Sequence, residues 1–371
     1  MFSKYFHIYQ NHRGYKNRTA AYIRFYKNAI ARNKELSFPA EGEEKWLERW
    51  RKYDKKLSPL AYRVFSRYIG PNIDILPMEL CVNYIEPVLT PPNFRAYYSD
   101  KNMLDKIIGN NPIVHLAPTT YIRNIKGFWY DTMYQLINPD QIDFIISSLS
   151  DEKVIVKPSL DNSGHGVRLF LKQNNGKYTD KKGNDLTFAF LKSVYKHDFL
   201  IQECFKQSDF ISQFNTSSVN TIRMATYRDR NGIVHPLGAL MRIGKEGSVV
   251  DNAHAGGMFV GIFDNGKLSD FLCNQYGERT TVFNGIDFRG NSFKIENFDR
   301  VRNFAVSISE KILHHDLVGL DIALDKDNNP HILEMNCSAF SGWLFQFTTC
   351  PALKNYTEEI MDYCFANNLV K

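Results

Sequence analysis

Three oxygen-bearing side chains late in the sequence have the types and spacing to hold a hard divalent cation. Asp321 lies in the apolar run Leu320–Leu324, Glu334 and Asn336 lie in His331–Asn336, and a polar turn from Asp325 to Pro330 separates the runs. Two alternating runs flanking such a turn read as strand, turn, strand. Side chains two apart on a strand share a face, so Glu334 and Asn336 point the same way. Pairing the strands brings Asp321 onto that face. Two carboxylates and an amide oxygen converging there suit Mg²⁺. Ordinary surface acids on a solvent-facing hairpin would look the same, and the hairpin alone leaves both readings open.

Two upstream stretches carry complementary chemistry. Val154-Ile155-Val156 is a short apolar strand that ends in Lys157-Pro158-Ser159, and Ser163-Gly164-His165-Gly166 follows in a small loop. A lysine beside a loop with bare backbone N–H groups suits a polyphosphate, although glycine is also common in hairpin loops. Further on, Gly244 to Gly257 is a long polar loop containing Asp251, Asn252, His254, Gly256 and Gly257. It joins confident strands, and long loops in such a place are often functional.

The elements that must position these groups alternate between helical and strand patterns, giving an α+β chain. With 371 residues the chain is too long for one compact core, and two or three packed subdomains are expected. Residues 1–70 read as helical. Tyr22, Ile23, Tyr26 and Ile30 form one stripe and Trp46, Trp50 and Tyr53 a second, while Ser58-Pro59 marks a helix start. Residues 71–98 are punctuated by Pro71, Pro77, Pro87, Pro91 and Pro92 and read as a junction. Strands are expected at 113–123, 154–159, 167–171, 199–205, 220–227, 237–243, 258–263 and 267–273. Helices are expected near 185–196, 298–314 and 352–367. The hairpin 220–243 turns at Asp229-Arg230-Asn231-Gly232.

The formal charge of +6 is concentrated in residues 1–60, which hold fourteen Lys/Arg against six Asp/Glu; the rest of the chain is slightly acidic. This excludes a broad nucleic-acid surface. A basic, aromatic helical arm suits either an anionic membrane surface or docking of its aromatic stripes on the body of the protein. Six scattered cysteines without CxxC spacing argue against a zinc site or a disulfide framework and fit a reducing cytosol. No apolar run reaches membrane-span length, and Met1 to His7 lacks the core of a signal peptide. The expectation is a cytoplasmic protein, with peripheral contact at the inner membrane surface or with a glycosyltransferase through the arm.

Together these stretches resemble the ATP-grasp superfamily over roughly residues 95–365. Asp100-Lys101, the Val154–Val167 segment and the set Asp321, Glu334 and Asn336 are similar to three segments of D-alanine–D-alanine ligases. Arg242, Asn252 and Gly256-Gly257 resemble a loop of glutathione synthetases and ribosomal-protein glutamate ligases. Asn220 to Arg223, Arg242 to Gly244 and Ser248 to Asn252 most resemble the sugar-transfer-associated ATP-grasp proteins of capsule and surface-polysaccharide genes.

The resemblance implies two α+β subdomains gripping ATP between antiparallel sheets, behind a mainly helical region over 1–95. The grasp domain would span 96–371, with a nucleotide-gripping part near 150–205 and a metal-bearing, catalytic part near 206–371. It implies ATP and one or two Mg²⁺ as cofactors. Lys101 and Lys157 would contact phosphates under a loop of Ser163, Gly164, His165 and Gly166. Gln202 and Glu203 would sit at the adenine hinge, with Glu203 or Asp209 on the ribose. Asp321, Glu334 and Asn336 would hold the metal. Arg242 and Asn252 would stabilise the transferring phosphoryl group, and Arg223 would join them, bind the substrate carboxylate, or form a structural ion pair. Asp251, His254, Gly256, Gly257 and Ser338 would shape the substrate side.

The implied reaction is ATP-dependent ligation of a small-molecule or glycan-linked carboxylate to an amine. A phosphotransferase acting on a hydroxyl, or a nucleotide-binding assembly protein, would use the same nucleotide residues. Two departures from the D-alanine ligases fall on the substrate side. Gly319 stands where they place an arginine, and Cys337 to Gly342 replaces a Ser/Thr-Pro-Gly turn.

Overall fold

The computed structural model describes residues 2–160, 164–248, 251, 253–290, 292–337 and 340–367, with side chains from residue 14 onward except that of His254. The first sheet is built from β1 Thr120–Ile125, β2 Phe128–Tyr130, β3 Lys153–Pro158, β4 Arg168–Lys172, β5 Tyr178–Asp180 and β6 Phe199–Glu203. Its order is β2-β1-β6-β3-β4-β5, and every pairing is antiparallel. The strand expected at 113–123 begins only at Thr120, because Asn111 accepts from the N–H groups of Ile113 and Val114 and turns the chain there, and it continues into the hairpin β1–β2. Lys126 and Gly127 both take positive φ, 52° and 90°, which is the type I′ pattern that matches strand twist in a two-residue turn.

The second sheet holds β7 Thr221–Arg228, β8 Val234–Ile243, β9 Met258–Ile262, β10 Leu268–Cys273 and β11 Arg279–Thr280. After a small two-stranded ribbon, β12 Val282–Phe283 with β13 Ile286–Asp287, the chain returns through β14 Leu317–Leu324 and β15 Pro330–Asn336. The order is β11-β10-β9-β8-β7-β14-β15, again antiparallel between neighbours. The sheets are tied by backbone bonds from Ser208 N–H to the Leu324 carbonyl (2.9 Å) and from Ile332 N–H to the Leu116 carbonyl (2.8 Å).

Strand periodicity gives the second sheet two unlike faces. One face carries Ile222, Met224, Met241, Ile243, Val318, Leu320 and Ile322 and shares a core with Phe298, Val301, Ala305 and Ile308 of the helix Phe298–Ser309. The other face is divided along its length. At one end Ala225, Tyr227, Leu240 and Leu317 join a core with Tyr26, Trp46, Trp50, Phe65, Phe345 and Phe347. At the other end the same face presents Thr221, Arg223, Arg242 and Asp321. Burying each large aromatic contributes roughly 2–3 kcal/mol relative to leaving it in water, so half of this face is committed to packing.

The packing comes from the helices Phe2–Arg32, Glu43–Trp50 and Leu60–Ile69. Leu60 N–H donates to the Ser58 hydroxyl (3.3 Å) at the start of the third. Tyr22, Ile23, Tyr26 and Ile30 all lie in or against the core, so this stripe faces the body of the protein. Both indole N–H groups of the second stripe find carbonyls, Trp46 at Ile75 (2.7 Å) and Trp50 at Ile73 (2.9 Å).

The stretch 71–98 differs from the junction expected of its prolines. It forms helical turns, including a π-helical turn over Cys81–Ile85, and buries Ile75, Leu76, Met78, Leu80, Ile85 and Leu89. Four of its five prolines sit at helix starts, Pro77 and Pro91 just before one and Pro87 and Pro92 in the first turn of Glu86–Leu89 and Pro92–Ser99, where a missing N–H costs little. The side chain of Gln346 accepts from Leu76 N–H (2.7 Å) and donates to the Leu76 carbonyl (3.0 Å). The helical region and the sheet therefore share one core.

Candidate active site

Register places the reactive side chains. Asp321 lies directly opposite Glu334 on one side and Arg223 on the other. Thr221 lies opposite Arg242, and Arg242 opposite Phe259. Side chains of directly opposed residues share a face. Two adjacent rungs thus run across the sheet, Glu334–Asp321–Arg223 and Thr221–Arg242–Phe259. From β15 to β9 the floor passes from carboxylates to guanidiniums to an aromatic ring.

Asp321 is 2 % exposed and Arg223 is 5 % exposed. Arg223 grips the carboxylate with Nε at 2.5 Å from Oδ1 and Nη2 at 3.1 Å from Oδ2. Arg242 Nη2 reaches Oδ2 at 2.8 Å, and Asn336 Nδ2 donates to the same oxygen at 3.1 Å. Burial pushes the Asp321 carboxyl up, but the two guanidiniums and these hydrogen bonds outweigh it and hold the group below the ordinary carboxylate range. Burial also opposes the charge on Arg242, and Asp251, Asp321 and Glu334 overcome it. Gly319 packs against this pair, and a Cβ there would meet Arg223 Cδ at 3.5 Å and Nη1 at 3.6 Å, which is ordinary contact.

The opposite wall comes from the six-stranded sheet. Lys157 is the penultimate residue of β3 and lines the cavity beside Lys101. Burial, with the Lys101 ammonium next to it, brings the Lys157 amine down to about 8 against the pull of Glu334. Lys101 is presented by a local turn in which Asn102 N–H bonds the Asp100 side chain (2.9 Å) and Met103 N–H its carbonyl (2.8 Å). Its Nζ lies 3.1 Å from Glu334 Oε1. Gly164 and His165 line the same cavity. Gly166 takes φ +72°, and a Cβ there would lie 2.8 Å from Pro158, so only glycine fits.

These groups share one cavity of about 470 Å³ between the sheets, and Ile155, Gln202, Glu203, Cys204, Phe205 and Leu333 also line it. Gln202 uses its amide structurally, donating to the Pro118 carbonyl (3.2 Å) and to Thr120 Oγ1 (3.1 Å). Asp209 does not reach the cavity; it opens the short helix Asp209–Ser212 and is exposed. Asp251 does, but its carboxylate is turned to Thr221 and Arg242. Gly256 is exposed and Gly257 buried, and neither lines the cavity; His254 lies on the single turn Ala253–Ala255. Ser163, Asn252 and Ser338 lie outside the described residues.

Sequence reasoning missed three lining residues, Thr221, Phe259 and Gln275. Thr221 was within reach, because it stands two before Arg223 on a strand and must share its face. Ser341 and Trp343 belong to the stretch after Asn336 that departs from the ligase pattern, and packing of Trp343 against Phe25, Phe259 and Phe347 brings it to the cavity. Among the described residues no three His, Cys, Asp or Glu side chains converge as a metal cluster. The candidate donors are instead the Asp321 and Glu334 carboxylates and the Asn336 amide oxygen, whose Nδ2 is already used on Asp321. This all-oxygen set fits a hard cation.

Similar solved structures include D-cycloserine synthetase DcsG, with TM-score 0.41 and 10% identity over 74% of this chain and 73% of that one. The D-alanine–D-alanine ligase from Coxiella burnetii gives TM-score 0.40 and 10% identity over 74% and 59%. The L-amino acid ligase from Bacillus licheniformis gives TM-score 0.36 and 14% identity, and the match spans 67% of this chain and only 43% of that protein. No curated protein matches the chain. Residues 83–362 match the family described as sugar-transfer associated ATP-grasp, and with both antiparallel sheets and the cleft between them in place, the chain belongs to that family.

Proposed function

We propose that the protein is an ADP-forming carboxylate–amine ligase that works through an acylphosphate. One observation carries this reading. Lys101, Lys157, Arg223 and Arg242 line the same cavity as Asp321, Glu334 and Asn336, so four cationic side chains and an oxygen donor set face one space. A triphosphate entering there adds its oxygens to the partners of these cations. Bound by Asp321, Glu334 and Asn336, Mg²⁺ would supply a hard Lewis acid for the phosphates.

The residues divide the work by position. Lys101 and Lys157 act as point charges on the phosphates, with Gly164 and His165 above them. Ile155 and Leu333, with the backbone of Gln202 to Phe205, would hold the adenine. Arg242 and Arg223 face the phosphoryl group as it moves. A substrate carboxylate oxygen attacks the γ-phosphorus and ADP departs. An amine then attacks the acyl carbon, phosphate departs, and the amine gives up a proton. Positioning and fixed charge supply most of the barrier reduction in such transfers.

We infer further that the acid is a sugar acid or an amino acid and that the product serves capsular or surface-polysaccharide synthesis at the cytoplasmic side of the membrane. The family description, sugar-transfer associated, supports the link to sugar chemistry. Incubation with Mg·ATP, a panel of uronic and amino acids and a panel of amines tests the chemistry by chromatography of nucleotides and mass of products. ADP with an amide product is expected. AMP release would contradict the mechanism, and a phosphorylated hydroxyl without a second substrate would replace it with phosphotransfer. Glu334→Ala and Lys157→Ala are each expected to abolish ADP release while circular dichroism stays unchanged.

A further inference from the structure

We propose that Thr221 is a positioning residue, whose single hydroxyl sets the plane of the Arg242 guanidinium and fastens the glycine-bearing loop to the cleft. The inference rests on the ligase reading above, in which Arg242 faces the γ-phosphoryl group. Thr221 is the first residue of β7 and stands directly opposite Arg242 in register. It is buried. Its Oγ1 accepts from Arg242 Nε at 3.0 Å and donates to Asp251 Oδ2 in a short hydrogen bond, while its own N–H donates to the same Asp251 oxygen at 3.1 Å.

A hydroxyl has one proton to give and lone pairs to receive, and both capacities are used here in one direction. Asp251 fixes the hydroxyl proton, which turns the lone pairs toward Arg242. The guanidinium is then held at two points, Nε on Thr221 and Nη2 on Asp321 at 2.8 Å. Two anchors define the plane of a rigid fork and leave Nη1 for a phosphoryl oxygen. Asp251 also lies 3.5 Å from Arg242 Nε and supplies a counter-charge. Residue 251 belongs to the loop 244–257, so the contacts that orient the arginine also bind that loop to the sheet. Substrate contact is not needed to explain why Asp251 is buried.

The test is calorimetric binding of Mg·AMP-PNP and Mg·ADP to the full chain and to Thr221→Val, Thr221→Ser and Asp251→Asn. Thr221→Val keeps the shape and removes both hydrogen bonds. It is expected to weaken AMP-PNP about tenfold, as for loss of one charge-assisted hydrogen bond, while ADP affinity stays within about twofold. Thr221→Ser keeps the hydroxyl and restores the wild-type ratio. Asp251→Asn lowers the ratio by a smaller factor, because its amide oxygen still accepts from Thr221. An unchanged AMP-PNP to ADP ratio in Thr221→Val, failure of serine to restore it, or equal weakening of both nucleotides overturns the positioning role. Wild-type protein that binds neither nucleotide overturns the ligase reading and this inference with it, and is recognised by that pattern.

Discussion

Asp321→Asn is the substitution whose consequence the structure defines most sharply. The change keeps the side-chain shape and removes one negative charge from a site that is 2 % exposed. Its two cationic neighbours then fare differently. Arg242 retains Asp251 at 3.5 Å. Arg223 is buried, and among the described residues its ion pair is with Asp321, through contacts of 2.5 and 3.1 Å. Removing one member of a buried pair costs about 3–5 kcal/mol, because the other is left charged in a poor solvent. Arg223→Met should cost less, about 2 kcal/mol, since Arg242 still neutralises the carboxylate. In the double variant the stranded charge is gone, so its cost should fall below the sum of the singles by about 2–3 kcal/mol, within the range for charge pairs in contact. Urea unfolding followed by circular dichroism and by tryptophan emission measures all four proteins. Asp321→Asn is expected to lower the melting temperature by about 5 °C or more. Additive costs, with a coupling below about 0.5 kcal/mol, would refute the reasoning, because the two charges would then be independently solvated.

Other expectations follow from the same contacts. Gln346→Leu leaves both the N–H and the carbonyl of buried Leu76 without the partner that now joins the helical region to the sheet. It should cost about 2–4 kcal/mol, with amide exchange rising first around residues 75–80. Burial lifts the Glu79 carboxyl from 4.5 to about 7, against hydrogen bonds from its own N–H and from Tyr26. The folded state therefore holds a proton that the unfolded chain releases, and this stability is complete below pH 4.5 and lost as pH rises through 7. The loss is on the order of 3 kcal/mol, so Glu79→Gln should melt above wild type at pH 8 and level with it at pH 5; a gap independent of pH would exclude this account. Gly319→Ala should keep most activity, because its methyl meets Arg223 and Asn336 at ordinary contact distances of 3.5–3.6 Å. Gly319→Val should displace Arg223 and lower turnover about tenfold or more, read as ADP release.

The sequence alone determined the parts that depend on short-range pattern. The alternation of Leu320–Leu324 and His331–Asn336 about a polar turn is sufficient for the pair β14–β15, and period-2 geometry puts Glu334 and Asn336 on one face. Lys157 is legible at the end of an apolar strand for the same reason. The glycine loop after it and the ordered motifs along the chain were enough to point to the superfamily. Tertiary structure alone decided which strands meet. Arg223 and Asp321 are 98 residues apart, and no local pattern shows that β7 and β14 pair in the register that sets one against the other. The same holds for Lys101 beside Glu334 and for Trp343 in the cavity wall. It also holds for the proline-punctuated stretch after residue 70, where local rules read a junction and burial of Ile75 to Leu89 against the sheet decided otherwise. Strand order and register follow from burying long-range apolar faces together, and that free energy belongs to the whole chain rather than to any window of it.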